Sequence, residues 1–321
     1  MVHPVNLHDT PPVFMELIQA AAVHFSIPEA YVEKDYWVTK VLCRLSASPF
    51  AGSLVFKGGT SLSKAHRLIR RFSEDIDLSA RCHDLTGNRT KQLLRRAEKA
   101  ITVDLKSQRD PIRESKGTQF RKSVYAYPGV INKGDMRFAS DTILLEINAF
   151  TVPEPSERLL VSSFIGELLT LESRTDLLER YELTDFELDV LRVERTLCEK
   201  VMALVRASYA NELRSSLRPQ IRHIYDLCMI LRRPRYWTFV ATEDFGAMMR
   251  TVRDSDRVLF DEAERWLARP ASEAPIFADA SGVWPTLKPG YREELRQIVY
   301  DQDLPEDQEV LNTLGHLHHH V

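Results

Sequence analysis

Apolar residues recur at helical spacing through VFMELIQAAAVHF, and a second segment, SIPEAYVEKDYWVTKVLCRL, opens after Ser26 with Pro28 near its first turn. Two helices joined by a short break are therefore predicted over residues 12–46. SLVFKGG is a brief apolar run ending on paired glycines, and TSLSKAHRLIRR follows with hydroxyl residues able to cap a helix. That order predicts strand, glycine turn, helix. RFSEDIDLSA alternates imperfectly, but the segment from Glu74 to Ser79 fits a short strand. TKQLLRRAEKAITVDL reads as a helix, whereas FRKSVYAYPGV and DTILLEINAF read as strands, so a mixed sheet is expected in the first half. From about residue 157 the pattern changes to helices: DFELDVLRVERTLCEKVMALVRASY, IRHIYDLCMILRR, SDRVLFDEAERWLAR and YREELRQIVYD.

The chain has 321 residues, 44% of them apolar and 28% charged, which is ordinary for a globular protein of one large or two ordinary domains. The Pro-containing TVPEPSER is the expected linker, between a domain over 1–155 and a helical one over 156–321. There is no internal repeat or low-complexity tract. The start lacks the basic segment and apolar run of a signal peptide, and no run of 18 apolar residues occurs, so a soluble, cytoplasmic protein without membrane contact is expected. Cys43, Cys82, Cys198 and Cys228 stand singly, without metal-ligand spacing, and are expected as reduced, mostly buried thiols. The ending LGHLHHHV is a native end or an added tag, and no functional reading uses it.

The net charge of −3 hides an uneven distribution. Residues 64–122 hold 16 Lys and Arg against 8 Asp and Glu, and residues 241–321 hold 8 against 16. Such runs are often solvated helix faces, but this basic one flanks the chemical motif, where it can also serve as a nucleotide or nucleic-acid footprint.

Asp75 and Asp77 carry that motif. Two apart on a strand, both carboxylates project from one face while Ile76 points to the other. Their repulsion is relieved by a divalent cation, and oxygen-only ligands favour Mg²⁺ or Mn²⁺ over zinc. A lone DxD can equally be an acidic turn. Gly58 and Gly59 precede it at a strand-to-helix junction, where glycine lets the backbone approach a polyphosphate and helix N–H groups stabilise its charge. Thr60 and Ser61 add hydroxyl donors there, or else only cap the turn, and Lys57 and Lys64 lie close by. The turn matches neither GxxxxGK[ST] nor GxGxxG. Glu146 interrupts the apolar strand Ile143-Leu144-Leu145-Glu146-Ile147 and is the candidate third carboxylate, as metal ligand or base. On an exposed sheet face it would carry no such role. His66 and His83 read as surface residues rather than ligands.

KGGTSLSKAHRLIRRFSEDIDLS resembles the signature of the AbiEii/AbiGii nucleotidyltransferase toxins, a branch of the polymerase-β-like superfamily. The resemblance extends to EKDYW, to LLEINAF, and to RVERTLCEKVMALVRA and RHIYDL, and covers roughly residues 30–230. It implies an α+β fold, a polymerase-β-like mixed sheet with flanking helices followed by a helical domain that closes the nucleotide cleft. It also implies that Lys200 reaches the NTP triphosphate and that Asp226 completes the pocket. By their own pattern, Lys200 sits near the edge of an apolar stripe, where a long cation can snorkel or form a helix-pair salt bridge. Asp226 can instead be a structural partner of Lys200, Arg206 or Arg222.

The resemblance implies a toxin that moves an NMP from an NTP to RNA, with the tRNA 3′ end as acceptor, and a cognate antitoxin as partner. Two alternatives stand beside it: transfer to a protein or small-molecule hydroxyl, and a non-catalytic nucleotide- or RNA-binding regulator. Ser73, two residues before Asp75, is a candidate regulatory phosphorylation site, since a phosphate there would add about −1.5 to −2 charge beside the metal and triphosphate.

Overall fold

The computed structural model describes residues 5–73, 75–82, 85–132, 140–260, 262–301 and 303–321. The two expected N-terminal helices are α1 (Pro11–Phe25) and α2 (Glu29–Ser46). Prolines occupy the first turn of α1, where a missing N–H costs nothing, and Ser26 ends it in the left-handed region. The apolar run then forms β1 (Leu54–Lys57), and α3 (Gly58–Lys64) follows without a gap. α3 is shorter than the helix expected over 60–71. The N–H groups of Ala65 and His66 both donate to the Ser61 carbonyl, and Arg67 has a positive φ, so the helix stops there.

The motif strand is β2 (Asp75–Ala80), followed by α4 (Gly87–Ile101) and the short strands β3 (Lys106–Gln108) and β4 (Ser115–Lys116). The two expected strands are β5 (Phe120–Ala126) and β6 (Thr142–Asn148). After them the structure departs from the helical expectation. β7 (Ser156–Val161) overlaps the proposed linker, α5 (Phe164–Leu171) and α6 (Thr175–Arg180) follow, and FELDVL forms β8 (Phe186–Leu191). In β8, Leu188 and Val190 are buried and Glu187 is exposed, a period-two pattern that the longer helical run beyond it obscures.

Among the described residues these strands make one mixed sheet in the order β3-β5-β6-β2-β1-β8-β7, with β4 paired to β5. β2 is antiparallel to β1 and parallel to β6, and β5 is antiparallel to β6. The chain divides into two compact units, Met1–His66 with Phe72–Val190, and Arg67–Arg71 with Leu191–Val321. Residues 156–190, assigned from sequence to the helical domain, thus pack with the first unit, because they add two strands to its sheet.

The second unit is helical, as expected. It comprises α7 (Val193–Ser208), α8 (Leu213–Leu217), α9 (Ile221–Leu231), α10 (Pro234–Val240), α11 (Glu243–Leu259), α12 (Glu264–Leu267), α13 (Pro275–Ala278), α14 (Ala280–Ile298) and α15 (Asp307–His318). Leu197, Val201, Ile224 and Leu227 of α7 and α9 are fully buried at its centre. α14 begins well before the expected residue 291 and contains Pro285 and Pro289. The histidine-containing end belongs to α15: Leu314 and Leu317 are buried, and the His316 ring stacks on Trp237 at 3.8 Å. No described helix is long and apolar enough to cross a membrane. The four cysteines are free, and all but Cys43 are buried.

Candidate functional site

Strand register sets the geometry of the site. Lys57 of β1 lies opposite Asp77 of β2, Asp77 is paired with Glu146 of β6, and Glu146 is paired with Lys122 of β5. Register partners point to the same face, and neighbouring strands are about 4.8 Å apart. The sheet therefore carries a row of cation, carboxylate, carboxylate and cation across four adjacent strands. Asp75, two residues before Asp77, shares that face, whereas Ile76 and Leu78 are fully buried on the other. Asp75, Asp77 and Glu146 are all partly exposed, and Lys122 Nζ stands 3.3 Å from Glu146 Oε2.

Gly58 is placed directly against this row. Its φ is +78°, and a Cβ there would lie 2.0 Å from Asp77 Oδ2. Only glycine meets both conditions. The turn expected to admit a polyphosphate thus also makes room for the Asp77 carboxylate. Thr60 and Ser61 differ from the sequence reading in their hydroxyls: Thr60 Oγ1 donates to the Asp75 carbonyl and Ser61 Oγ donates to the Gly58 carbonyl at 2.9 Å. Both residues are buried, 3% and 0% exposed; the Thr60 proton ties the turn to β2, and the Ser61 proton closes the turn on itself. The backbone N–H groups of Gly58–Ser61 are the donors this turn can offer a phosphate.

Lys64 pairs with Asp35 of α2, and Asp35 Oδ2 accepts the Phe164 N–H at 2.9 Å. Glu33 of the same helix accepts the Val130 N–H at 2.5 Å. EKDYW therefore contributes buried carboxylates that fasten α3, α5 and the segment after β5 to α2. His66 is not the surface residue expected; its side chain is 5% exposed and lies 4.0 Å from Glu157. Ser73 is half-buried. His83 and Glu74 lie outside the described residues.

The donor chemistry of the row fits a hard divalent cation, since Asp75, Asp77 and Glu146 offer oxygen alone on one face. Among the described residues, however, no three His, Cys, Asp or Glu side chains converge as a ready-made metal cage. The third carboxylate is turned towards Lys122.

In the helical unit, Asp226 is fully buried on α9 and is held by two cations. Arg71 meets it in bidentate fashion, Nε to Oδ1 and Nη2 to Oδ2 at 2.7 Å each, and Lys200 Nζ reaches Oδ2 at 2.7 Å. Burial alone would raise the carboxyl pKa, but the adjacent charges of Arg71 and Lys200 outweigh it and hold Asp226 well below the usual carboxylate range. Lys200 also lies 3.3 Å from His223 Nδ1. Burial and the Lys200 ammonium push that imidazole well below its ordinary value, so Nδ1 accepts from the ammonium. Of the structural partners weighed for Asp226, the structure supplies Lys200; Arg206 pairs with Asp256 at 3.1 Å instead.

Sequence reasoning assigned no role to Lys122 or Arg71. Lys122 lies in a segment that reads as a strand, but its register against Glu146 is not written locally. Arg71 lies within the basic segment 64–122 and is separated from Asp226 by 155 positions.

A strand-to-helix glycine turn pressed against Asp77, with Asp75 on the same face and Glu146 on the next parallel strand, is the arrangement expected from the motif's resemblance to the nucleotidyltransferases. The chain belongs to the AbiEii family, described as the nucleotidyl transferase AbiEii toxin of type IV toxin–antitoxin systems, whose sequence model matches residues 40–313. Such a protein takes a nucleotide substrate and is paired with an antitoxin. Among solved structures the chain is similar to MenT4, a nucleotidyltransferase toxin from Mycobacterium tuberculosis H37Rv, with a TM-score of 0.47 and 18% identity over 94% of this chain and 98% of that one. No curated protein matches the sequence.

Proposed function

We propose that this toxin transfers an NMP from an NTP to the 3′ end of a tRNA in a metal-dependent reaction. The observation that carries this reading is the row Lys57–Asp77–Glu146–Lys122 with Asp75 on the same face. The acceptor hydroxyl oxygen bonds to the α-phosphorus, the bond from that phosphorus to the β-bridging oxygen breaks, and pyrophosphate leaves with that electron pair. Asp75 and Asp77 would hold Mg²⁺ or Mn²⁺, with Glu146 as third ligand or as the base that takes the hydroxyl proton. A bound divalent ion supplies charge neutralisation at the phosphates and eases loss of that proton.

The chain's own groups do the positioning. The backbone N–H groups of Gly58, Gly59, Thr60 and Ser61 orient the phosphates at the start of α3, and Lys57 adds a cation beside them. Lys200, whose ammonium is held by Asp226 within the helical unit, is the cation that the family resemblance gives to the triphosphate. The basic composition of residues 64–122 supports an RNA acceptor over a protein or metabolite. A cytoplasmic location and a cognate antitoxin complete the reading.

The test is incubation with Mg²⁺, each α-labelled NTP and a mixture of tRNA, protein and metabolites, followed by location of the label. Label on the tRNA 3′ end, lost in Asp75→Asn, is expected. Transfer to protein and never to RNA replaces this reading with the second acceptor class, and transfer that survives Asp75→Asn removes the metal-site assignment.

A further inference from the structure

The exposed side of α4 has no place in the chemistry just described. Thr90, Leu94, Ala97, Glu98 and Ile101 bury one face of this helix, and Arg89, Lys91, Arg95, Arg96 and Lys99 are all exposed on the other. Among the described residues none of these five cations takes part in an ion pair. The only acid of the helix, Glu98, is turned inward and pairs with Arg121 of β5. Lys91, Arg95 and Lys99 follow one another at four-residue spacing, so they form a single row about 6 Å per step along the helix. At its C-terminal end the row opens on a recess of about 450 Å³, lined by Arg95, Lys99, Arg121 and Tyr125.

The position of this row relative to the carboxylates follows from strand parity. Arg121 and Tyr125 alternate on β5 with Lys122, and Lys122 faces Glu146. α4 packs against β5 and β6, and its Glu98 meets Arg121, so the helix covers the face opposite Asp77 and Glu146. Its cations therefore cannot contact an NTP bound over the carboxylate row. Five cations without an ion pair among the described residues repel one another, and that cost is relieved by a polyanion long enough to reach around the sheet.

We propose that the Lys91–Arg95–Lys99 row of α4, with Arg89 and Arg96 beside it, is a docking surface for the phosphate backbone of the acceptor RNA at a distance from its reacting end. It rests on the RNA-transfer reading and adds a length requirement to it: the RNA body docks on the back of the sheet while its 3′ end reaches the front. Phosphate contacts of this kind position the RNA without reading its sequence.

The test compares the wild type with Lys91→Gln/Arg95→Gln/Lys99→Gln, whose substitutions are all on exposed positions. Binding of fluorescently labelled bulk tRNA is followed by anisotropy between 50 and 200 mM KCl, a range suited to reading counterion release. The expected result is at least a tenfold loss of affinity and a salt slope reduced by about 2–3, the release that three phosphate contacts give. Transfer to intact tRNA then shows a raised KM with kcat kept, and transfer to a short acceptor-stem hairpin is unchanged. A variant with the wild-type slope overturns the proposal, as does a wild type that binds duplex DNA more tightly than tRNA. Binding is read without turnover, so a protein that docks tRNA but labels another acceptor refutes the transfer reading and leaves this surface standing.

Discussion

The space a Cβ would occupy on Gly58 is taken by Oδ2 of Asp77, 2.0 Å away. Glycine at this position thus serves the carboxylate as well as the turn. Gly58→Ala is expected to displace Asp77 from the row and lower NMP transfer at least tenfold, with a measurable drop in Tm. In an Asp77→Ala background the overlap with Oδ2 and Cγ is gone, which leaves the cost of the positive φ, about 1–2 kcal/mol, and a tight 3.1 Å contact with the remaining Cβ. A double-mutant cycle on Tm separates the two terms. Equal destabilisation by Gly58→Ala in both backgrounds would remove the steric link.

Lys122 and Glu146 make a second test, because their stability and activity effects should part. The pair is a quarter to a third exposed, so its contribution to stability is about 1 kcal/mol or less. Lys122→Met should leave urea unfolding nearly unchanged while lowering kcat severalfold, since Glu146 loses the group that aims it. Glu146→Gln should cost 100-fold or more. A Glu146→Gln enzyme of full activity would exclude this carboxylate from the chemistry.

The Asp226 cluster predicts the opposite balance. Arg71→Met leaves Asp226 buried with Lys200 still beside it, and breaking a buried pair in this way costs about 3–5 kcal/mol. Asp226→Asn leaves two cations in the same buried space and should cost a similar amount. Removing Arg71 and Asp226 together should cost less than the sum. Additive losses in equilibrium unfolding would show that the two side chains act separately.

The parts of the site that depend on local period were legible in the sequence. Asp75 and Asp77 share a face because a strand repeats every two residues, and Glu146 was conspicuous as a lone charge in an apolar strand. The pairing of Asp77 with Glu146, and of Glu146 with Lys122, depends on register across 69 and 24 residues of chain, where no local signal exists. Thr60 and Ser61 looked like ligand donors because a hydroxyl beside a glycine turn suits a phosphate and a backbone carbonyl equally well. Packing decided for the carbonyls. β8 was hidden because its six residues run directly into the long pattern of α7. The start of α14 was hidden by Pro285 and Pro289, which argue against helix on local grounds and are outvoted by the burial of Val283, Trp284 and Leu287.

Ser73 tests the electrostatics around β2. It is half-buried two residues before Asp75, so an added carboxylate or phosphate would sit close to the row. Ser73→Asp is expected to weaken NTP binding and transfer severalfold or more, and Ser73→Ala to leave both intact. The effect should shrink in high salt, as screening weakens charge repulsion. Full NTP affinity in Ser73→Asp would argue against phosphorylation as an off switch.

His8 predicts how stability depends on pH. Its side chain is 9% exposed, its Nδ1 lies 2.8 Å from the Tyr36 hydroxyl, and its ring packs 4.5 Å from that of Trp37. Burial first, and the nearby Lys40 charge second, lower its pKa from 6.5 to about 4. Between those values the unfolded chain binds the proton and the folded one does not, so stability falls as pH drops through this window and is fully present above it. One such group contributes a slope of up to about 1.4 kcal/mol per pH unit. Urea unfolding followed by tryptophan fluorescence at several pH values, for the wild type and His8→Leu, reads that slope directly. The variant should lose up to one proton's worth of pH dependence across the window, because leucine has nothing to titrate. If the two slopes coincide, His8 takes up its proton alike in the folded and unfolded chain and the burial argument fails.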